Sequence, residues 1–157
     1  MNWKNTEKVL NDFGKSFVEY YQSLLLEEDK VASGDLFNSV KYIIDINDNS
    51  IEVSISLLDY WKYIEHGRRS GTWPPINKIE NWIRVKNIKP YPYNGKLPTI
   101  KQLSYLISRK IYERGVEPNP LFKKTTDNIA ELFKDELENA VTKDVTNNFN
   151  IIIKDIF

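Results

Sequence analysis

Hydrophobic residues follow a helical period at both ends of the chain and a strand period between them. Val9, Leu10, Phe13, Phe17, Tyr20, Tyr21 and Leu24 recur three to four residues apart, which predicts an amphipathic helix over 5–28. Gly14 interrupts that stripe with a residue of low helix propensity. Glu27, Glu28 and Asp29 oppose the helix dipole, so the helix is expected to fray there, before the turn signal Ala32-Ser33-Gly34-Asp35. The period then changes to two. Val40, Tyr42, Ile44 and Ile46, and after them Ile51, Val53, Ile55 and Leu57, alternate with mostly polar residues around Asn47-Asp48-Asn49-Ser50. This predicts an antiparallel hairpin whose apolar face needs a helix or a further strand to cover it.

The helical period returns after the hairpin. A short helix is expected over 59–66, stopped by Gly67. Arg68-Arg69-Ser70-Gly71-Thr72-Trp73-Pro74-Pro75 reads as a shaped loop. Ile76, Ile79, Trp82 and Ile83 mark a helix of about ten residues, and Trp82 is expected in the core because it shares a face with Ile79. Residues 87–98 form an irregular connector that Tyr91 and Tyr93 are expected to pack down. Thr99 caps a helix carrying Ile100, Leu103, Leu106, Ile107 and Ile111, which Gly115 and Pro118 end. A last helix carries Ile129, Phe133, Leu137, Val141 and Val145. The apolar tail with Ile151, Ile152 and Ile153 admits a last turn, a strand or an arm reaching a neighbour. The sum is an α+β fold: a long N-terminal helix, a small antiparallel sheet, central helices and a long C-terminal helix.

At 157 residues and 41% hydrophobic, the chain suits one domain with a real core. Net charge is zero but unevenly spread: −6 over residues 1–60, +9 over 61–116 and −3 over 117–157. Three readings of that pattern stay open: compensation within the fold, head-to-tail matching between copies, and contact with nucleic acid. The last would need Lys86, Lys89, Lys96, Lys101, Arg109 and Lys110 to converge on one face. There is no Cys, which fits a reducing compartment or an assembly made inside a cell. No run reaches the ~20 apolar residues of a membrane span, and no signal peptide is evident.

The chemistry of catalysis finds few footholds. His66 is the only histidine, so a histidine cluster for zinc is excluded, and a triad has a single possible base. No phosphate loop or calcium loop is present, and no cofactor is expected. Asp45, Asp48 and Glu52 are near one another across the predicted hairpin, where a solvated turn is the ordinary reading. Arg68 and Arg69 admit three roles: binding phosphate or stacking on bases, pairing with carboxylates on another subunit, or projecting into water. Trp73, in a loop before two prolines, is an interface candidate.

Several of these segments together resemble the HK97 gp10-like family of tailed-bacteriophage head–tail connector, neck and tail-completion proteins. They are Gly34-Asp35-Leu36-Phe37-Asn38-Ser39-Val40, Tyr60-Trp61-Lys62-Tyr63-Ile64-Glu65-His66-Gly67, Pro74-Pro75, Ile79-Glu80-Asn81-Trp82-Ile83, residues 106–115, and Pro118-Asn119-Pro120-Leu121-Phe122. The match covers roughly residues 5–145. The family's Tyr, Glu-x-Gly element falls on Tyr63, Glu65 and Gly67, and its basic loop on Arg68 and Arg69; His66 stands where the family commonly has an aromatic residue.

The resemblance implies a single domain over 1–146 with a C-terminal extension over 147–157. It implies a non-enzymatic virion subunit, made in the host bacterial cytoplasm, that joins the portal or connector to the tail. Its expected partners are copies of itself in a ring of twelve, portal or connector proteins, tail proteins, and lumen DNA by non-specific contact, with no membrane. The candidate interface residues are Glu65, His66, Arg68, Arg69, Trp73 and Phe157. The alternative is a nucleic-acid-binding module using the basic central segment.

Overall fold

The computed structural model describes residues 2–92 and 95–156, with side chains through Asn150. The elements are α1 (Lys4–Glu27), α2 (Asp35–Ser39), β1 (Lys41–Ile46), β2 (Ile51–Ser56), α3 (Trp61–His66), α4 (Ile76–Val85), α5 (Ile100–Arg114) and α6 (Leu121–Ile156). The fold is α+β, with long helices at both ends around a small antiparallel sheet and central helices. The short helix α2, which seats Leu36 in the core, has too few residues to display a period.

Helices α1 and α6 run antiparallel and form the main core. The Phe17 ring lies 5.2 Å from Phe122, and Phe13 meets Phe133 edge-on at 5.9 Å. Tyr21, Leu24, Leu25, Leu36, Val40, Leu121 and Ile129 complete the cluster. Burying each such large side chain contributes about 1.5–3 kcal/mol. In the same core, burial first and the Glu65 carboxylate second push the Tyr21 hydroxyl up to about 12. Helix α6 passes residue 147 without interruption, so the tail continues as helix; Phe157 lies outside the described residues.

The expected antiparallel hairpin forms, with Tyr42 opposite Ile55 and Ile44 opposite Val53. Its apolar face is covered by α1. Gly14 explains itself here: a Cβ at that position would run into the Tyr42 ring, so a larger residue would push the sheet off the helix.

The fraying expected at the end of α1 does not occur, and α4 closes in the same way as α1. Past the end of α1, Asp29 takes φ 50°, and the amides of Asp29 and Lys30 donate to Leu26 and Leu25 carbonyls at 3.1 and 2.8 Å. Past the end of α4, Asn87 takes φ 50°, and the amides of Asn87 and Ile88 donate to Arg84 and Ile83 at 3.1 and 3.0 Å. Both are Schellman closures made without glycine. The Lys86 ammonium ties them together, reaching Asp29 Oδ1 at 2.5 Å and the Asp29 carbonyl at 3.0 Å.

Two expectations about aromatic residues are overturned. Trp82 is 40% exposed; Ile83, the next residue on α4, is the one that enters the interior. Tyr91 is 90% exposed and does not pack the connector down, while Tyr93 lies outside the described residues. The cap at Thr99 forms as expected, in a reciprocal box with Gln102.

The N-terminus of α1 carries no side-chain cap from its own flank. Asp144 of α6 supplies one. Its Oδ2 accepts from the Thr6 amide at 2.7 Å and hydroxyl at 2.8 Å, and its Oδ1 accepts from the Asn5 side chain at 2.6 Å and amide at 3.2 Å. Burial raises the pKa of this carboxyl and favours the neutral form, but the Thr6 and Asn5 hydrogen bonds together outweigh it and hold the pKa below the usual aspartate value.

Two outcomes follow from this packing. Gly14→Ala gains about 1 kcal/mol of helix propensity, but crowding against Tyr42 gives a net loss of roughly 1–3 kcal/mol in urea titration; trimming Tyr42 to Leu in the same chain recovers part of it. Asp144, ionised more readily folded than unfolded, contributes stability above the ordinary aspartate range that is lost as pH falls through its lowered folded value. Melting temperatures across acidic pH should therefore fall less steeply in Asp144→Asn than in the parent chain, and Asp144→Asn should be the less stable of the two near neutrality.

Candidate functional site

The residues singled out in the sequence gather at the junction of α3, the 67–75 loop, α5 and the start of α6. Gly67, at φ 66°, ends α3. Immediately after it, Arg68 and Val116 form an isolated antiparallel bridge, with amide-to-carbonyl distances of 2.9 and 2.8 Å. A glycine flanks the bridge on each strand. A Cβ on Gly67 would collide with the Val116 carbonyl, and one on Gly115 with the Arg68 carbonyl. The Asn119 amide donates to the Ile64 carbonyl at 2.8 Å, and the Gly71 amide to the Tyr112 carbonyl at 2.7 Å. The loop is thus pinned to the end of α5 and the residue after Gly115, and α3 to the segment before α6.

Glu65 is buried and faces inward. Its two oxygens accept from the amides of Phe122 and Lys123 at 2.8 and 3.0 Å, the second and third residues of α6. A carboxylate there satisfies orphan donors and complements the helix dipole. The first turn of α6 has no acidic residue of its own, so Glu65 supplies that charge from α3. This explains the Glu-x-Gly spacing physically: the glutamate caps α6, and the glycine two residues on lets the backbone approach Val116. Sequence reasoning assigned Glu65 to an interface; its carboxylate is committed inside the subunit.

The other candidates divide. His66 is exposed, its ring 6.2 Å from Trp61. The Arg68 guanidinium turns back on its own loop and donates to the Trp73 and Thr72 carbonyls at 3.2 and 3.4 Å. Arg69 is exposed and has no side-chain partner among the described residues. Trp73 stacks on Tyr112 and Tyr105 at 5.1 and 5.7 Å, so half of it is already spent on α5 while its outer face stays open. Pro74, the next residue, is buried.

Two concave surfaces border this junction. One, of about 560 Å³, is lined by Val31, Leu36, Tyr60, Tyr63 and Trp82, with Lys30, Asp35, Arg68 and Lys78 at its polar positions. The other is an open groove of about 1050 Å³ formed by residues 96–99 against α5. Neither was legible beforehand: the first joins residues from separate segments, and the second depends on how residues 96–99 lie against α5. Of the cations proposed for nucleic acid, Lys86 is bound to Asp29, and Arg109 pairs with Glu113 at 2.7 Å.

Among the described residues no group of three or more acidic, histidine or cysteine side chains is placed to hold a metal ion, and no helix is long and apolar enough to cross a membrane. Asp45 faces Glu52 across the hairpin on its exposed side. Compared with protein-family models, curated proteins and solved structures, the chain matches none.

Removing the Glu65 cap should cost stability without any loss of surface. Glu65→Ala is expected to destabilise the chain by about 1–3 kcal/mol, from unsatisfied buried amides and the lost charge–dipole interaction. Hydrogen exchange should locate the loosening at the first turn of α6. Unchanged exchange at Phe122 and Lys123 would contradict the capping role.

Proposed function

We propose that this chain is a non-enzymatic structural subunit that assembles with copies of itself in the neck of a tailed bacteriophage, joining the portal or connector to the tail. The observation that carries the assembly reading is unspent surface of two complementary kinds. Of the cations in the +9 central segment, Lys62, Lys86 and Arg109 are the ones that form ion pairs among the described residues, so compensation within the fold accounts for little of that charge. The same region exposes Tyr63, Trp82, Leu97, Tyr105 and Leu106. Apolar surface of this extent beside unpaired charge is the usual character of an assembly interface.

The choice of assembly rests on the ordered resemblance from Gly34 to Phe122. The geometry of Glu65, Gly67 and the Arg68–Val116 bridge gives that resemblance a physical rationale. In such a ring Arg69 and the open face of Trp73 are available to a neighbouring subunit or to lumen DNA, while Glu65 and Arg68 maintain the loop that presents them.

Locating the chain in intact particles by labelling and image reconstruction tests this reading. The expected result is a ring of twelve at the head–tail junction, a number taken from the family's place against a twelve-fold connector. Particles that lack the chain, or carry one copy of it, would reject the proposal.

A further inference from the structure

We propose, building on the ring reading above, that the groove between residues 96–99 and α5 receives the acidic outer face of α6 from the next copy. The groove is lined by Leu97, Pro98, Tyr105 and Leu106, with Lys96 and Lys101 at its sides and no acidic residue. Leu97 is 66% exposed and Leu106 54%, so the apolar floor is largely uncovered within the subunit. Thr99 and Gln102 also line it but are occupied by the cap of α5. Neither lysine forms an ion pair among the described residues.

The matching surface lies on α6. Thr125, Ile129, Ala140 and Asp144 are buried and turn one side of that helix toward the body of the protein. Glu131, Asp135 and Glu138 stand on the opposite side, spaced four and three residues apart, so they form one stripe, which the single cation Lys134 flanks. All three are exposed, and none has an ion pair among the described residues. Leu132, 71% exposed, borders the stripe. An apolar floor between lysines and an exposed leucine beside carboxylates are complementary in both charge and hydrophobicity.

The two faces are different patches of one chain. Their contact is therefore heterologous and propagates head to tail, closing into a ring where the rotation permits. The cleft around Tyr60, Tyr63 and Trp82 offers no comparable argument, because Asp35 sits among its cations and no unmatched acidic partner is singled out for it.

Charge exchange tests the contact. One variant carries Lys96→Glu and Lys101→Glu, the other Glu131→Lys and Asp135→Lys; circular dichroism checks that both remain folded. In sedimentation of the full chain over rising concentration, the parent should associate, more weakly at high salt. Each variant alone should associate roughly tenfold or more weakly. An equimolar mixture should assemble again, because the acidic groove of one variant meets the basic α6 of the other, and the unchanged pair also matches. Crosslinked products of the mixture should alternate between the two chains.

Folded variants that associate like the parent, a mixture that stays dissociated, or a parent chain monomeric throughout would each overturn the contact. Loss of binding to a single-stranded oligonucleotide in the groove variant, with normal self-association, would also overturn it and assign the groove to nucleic acid. These outcomes are separate from the particle image: a neck ring with unaffected variants removes this interface and keeps the ring.

Discussion

The fold depends on two carboxylates that cap helices to which they do not belong. Helix N-termini leave amides without partners, and buried ones must find acceptors. Here α1 takes its acceptor from Asp144 on α6, and α6 takes its own from Glu65 on α3. Apolar packing between α1 and α6 is non-directional and would tolerate sliding along the helix axis. The caps do not, since hydrogen bonds of 2.7 and 2.8 Å set the axial position of one helix against the other. Glu65 also fixes α3, and through Gly67 the loop behind it, so the position of the candidate surface follows from the same constraint.

The long periodic elements were legible because their pattern is local. The stripe from Val9 to Leu24, the alternation from Tyr42 to Ile55 and the Thr99 cap each need only nearby residues to be recognised. The missed features are those where tertiary contacts decide. Asp29 and Asn87 take left-handed backbone although neither is glycine, because each closes a Schellman end that Lys86 then braces. Trp82 and Ile83 are adjacent, and periodicity could not tell which one is buried. Glu65 looked like a surface acid beside a basic loop; its burial became apparent only with the start of α6 in place. Gly14 read as a flaw in a helix and is a seat for an aromatic ring.

The candidate surface was partly legible for the same reason. The charge asymmetry and the aromatic loop were visible in the sequence, and Arg69 and Trp73 do lie at the surface. The groove along α5 was not, because the helical period does not show which side of α5 residues 96–99 lie against. Four of the residues first singled out therefore have distinct duties: Glu65 and Arg68 stabilise the junction internally, while Arg69 and one face of Trp73 remain outward. A basic loop beside a buried glutamate is a support with an exposed tip, which neither composition nor spacing distinguishes from a wholly exposed patch.

The separation of the capping partners has a consequence for synthesis. Thr6 and Asp144 are 138 positions apart. At typical elongation rates the ribosome needs on the order of ten seconds between them. During that interval α1 and the hairpin can meet, since their contacts are close in sequence, but the first turn of α1 has no acceptor and the face that will hold Phe122 and Ile129 is bare. The nascent chain therefore waits for α6 before the core can close, with aromatic residues unprotected meanwhile. Burial of the α1–α6 core cannot precede synthesis of α6.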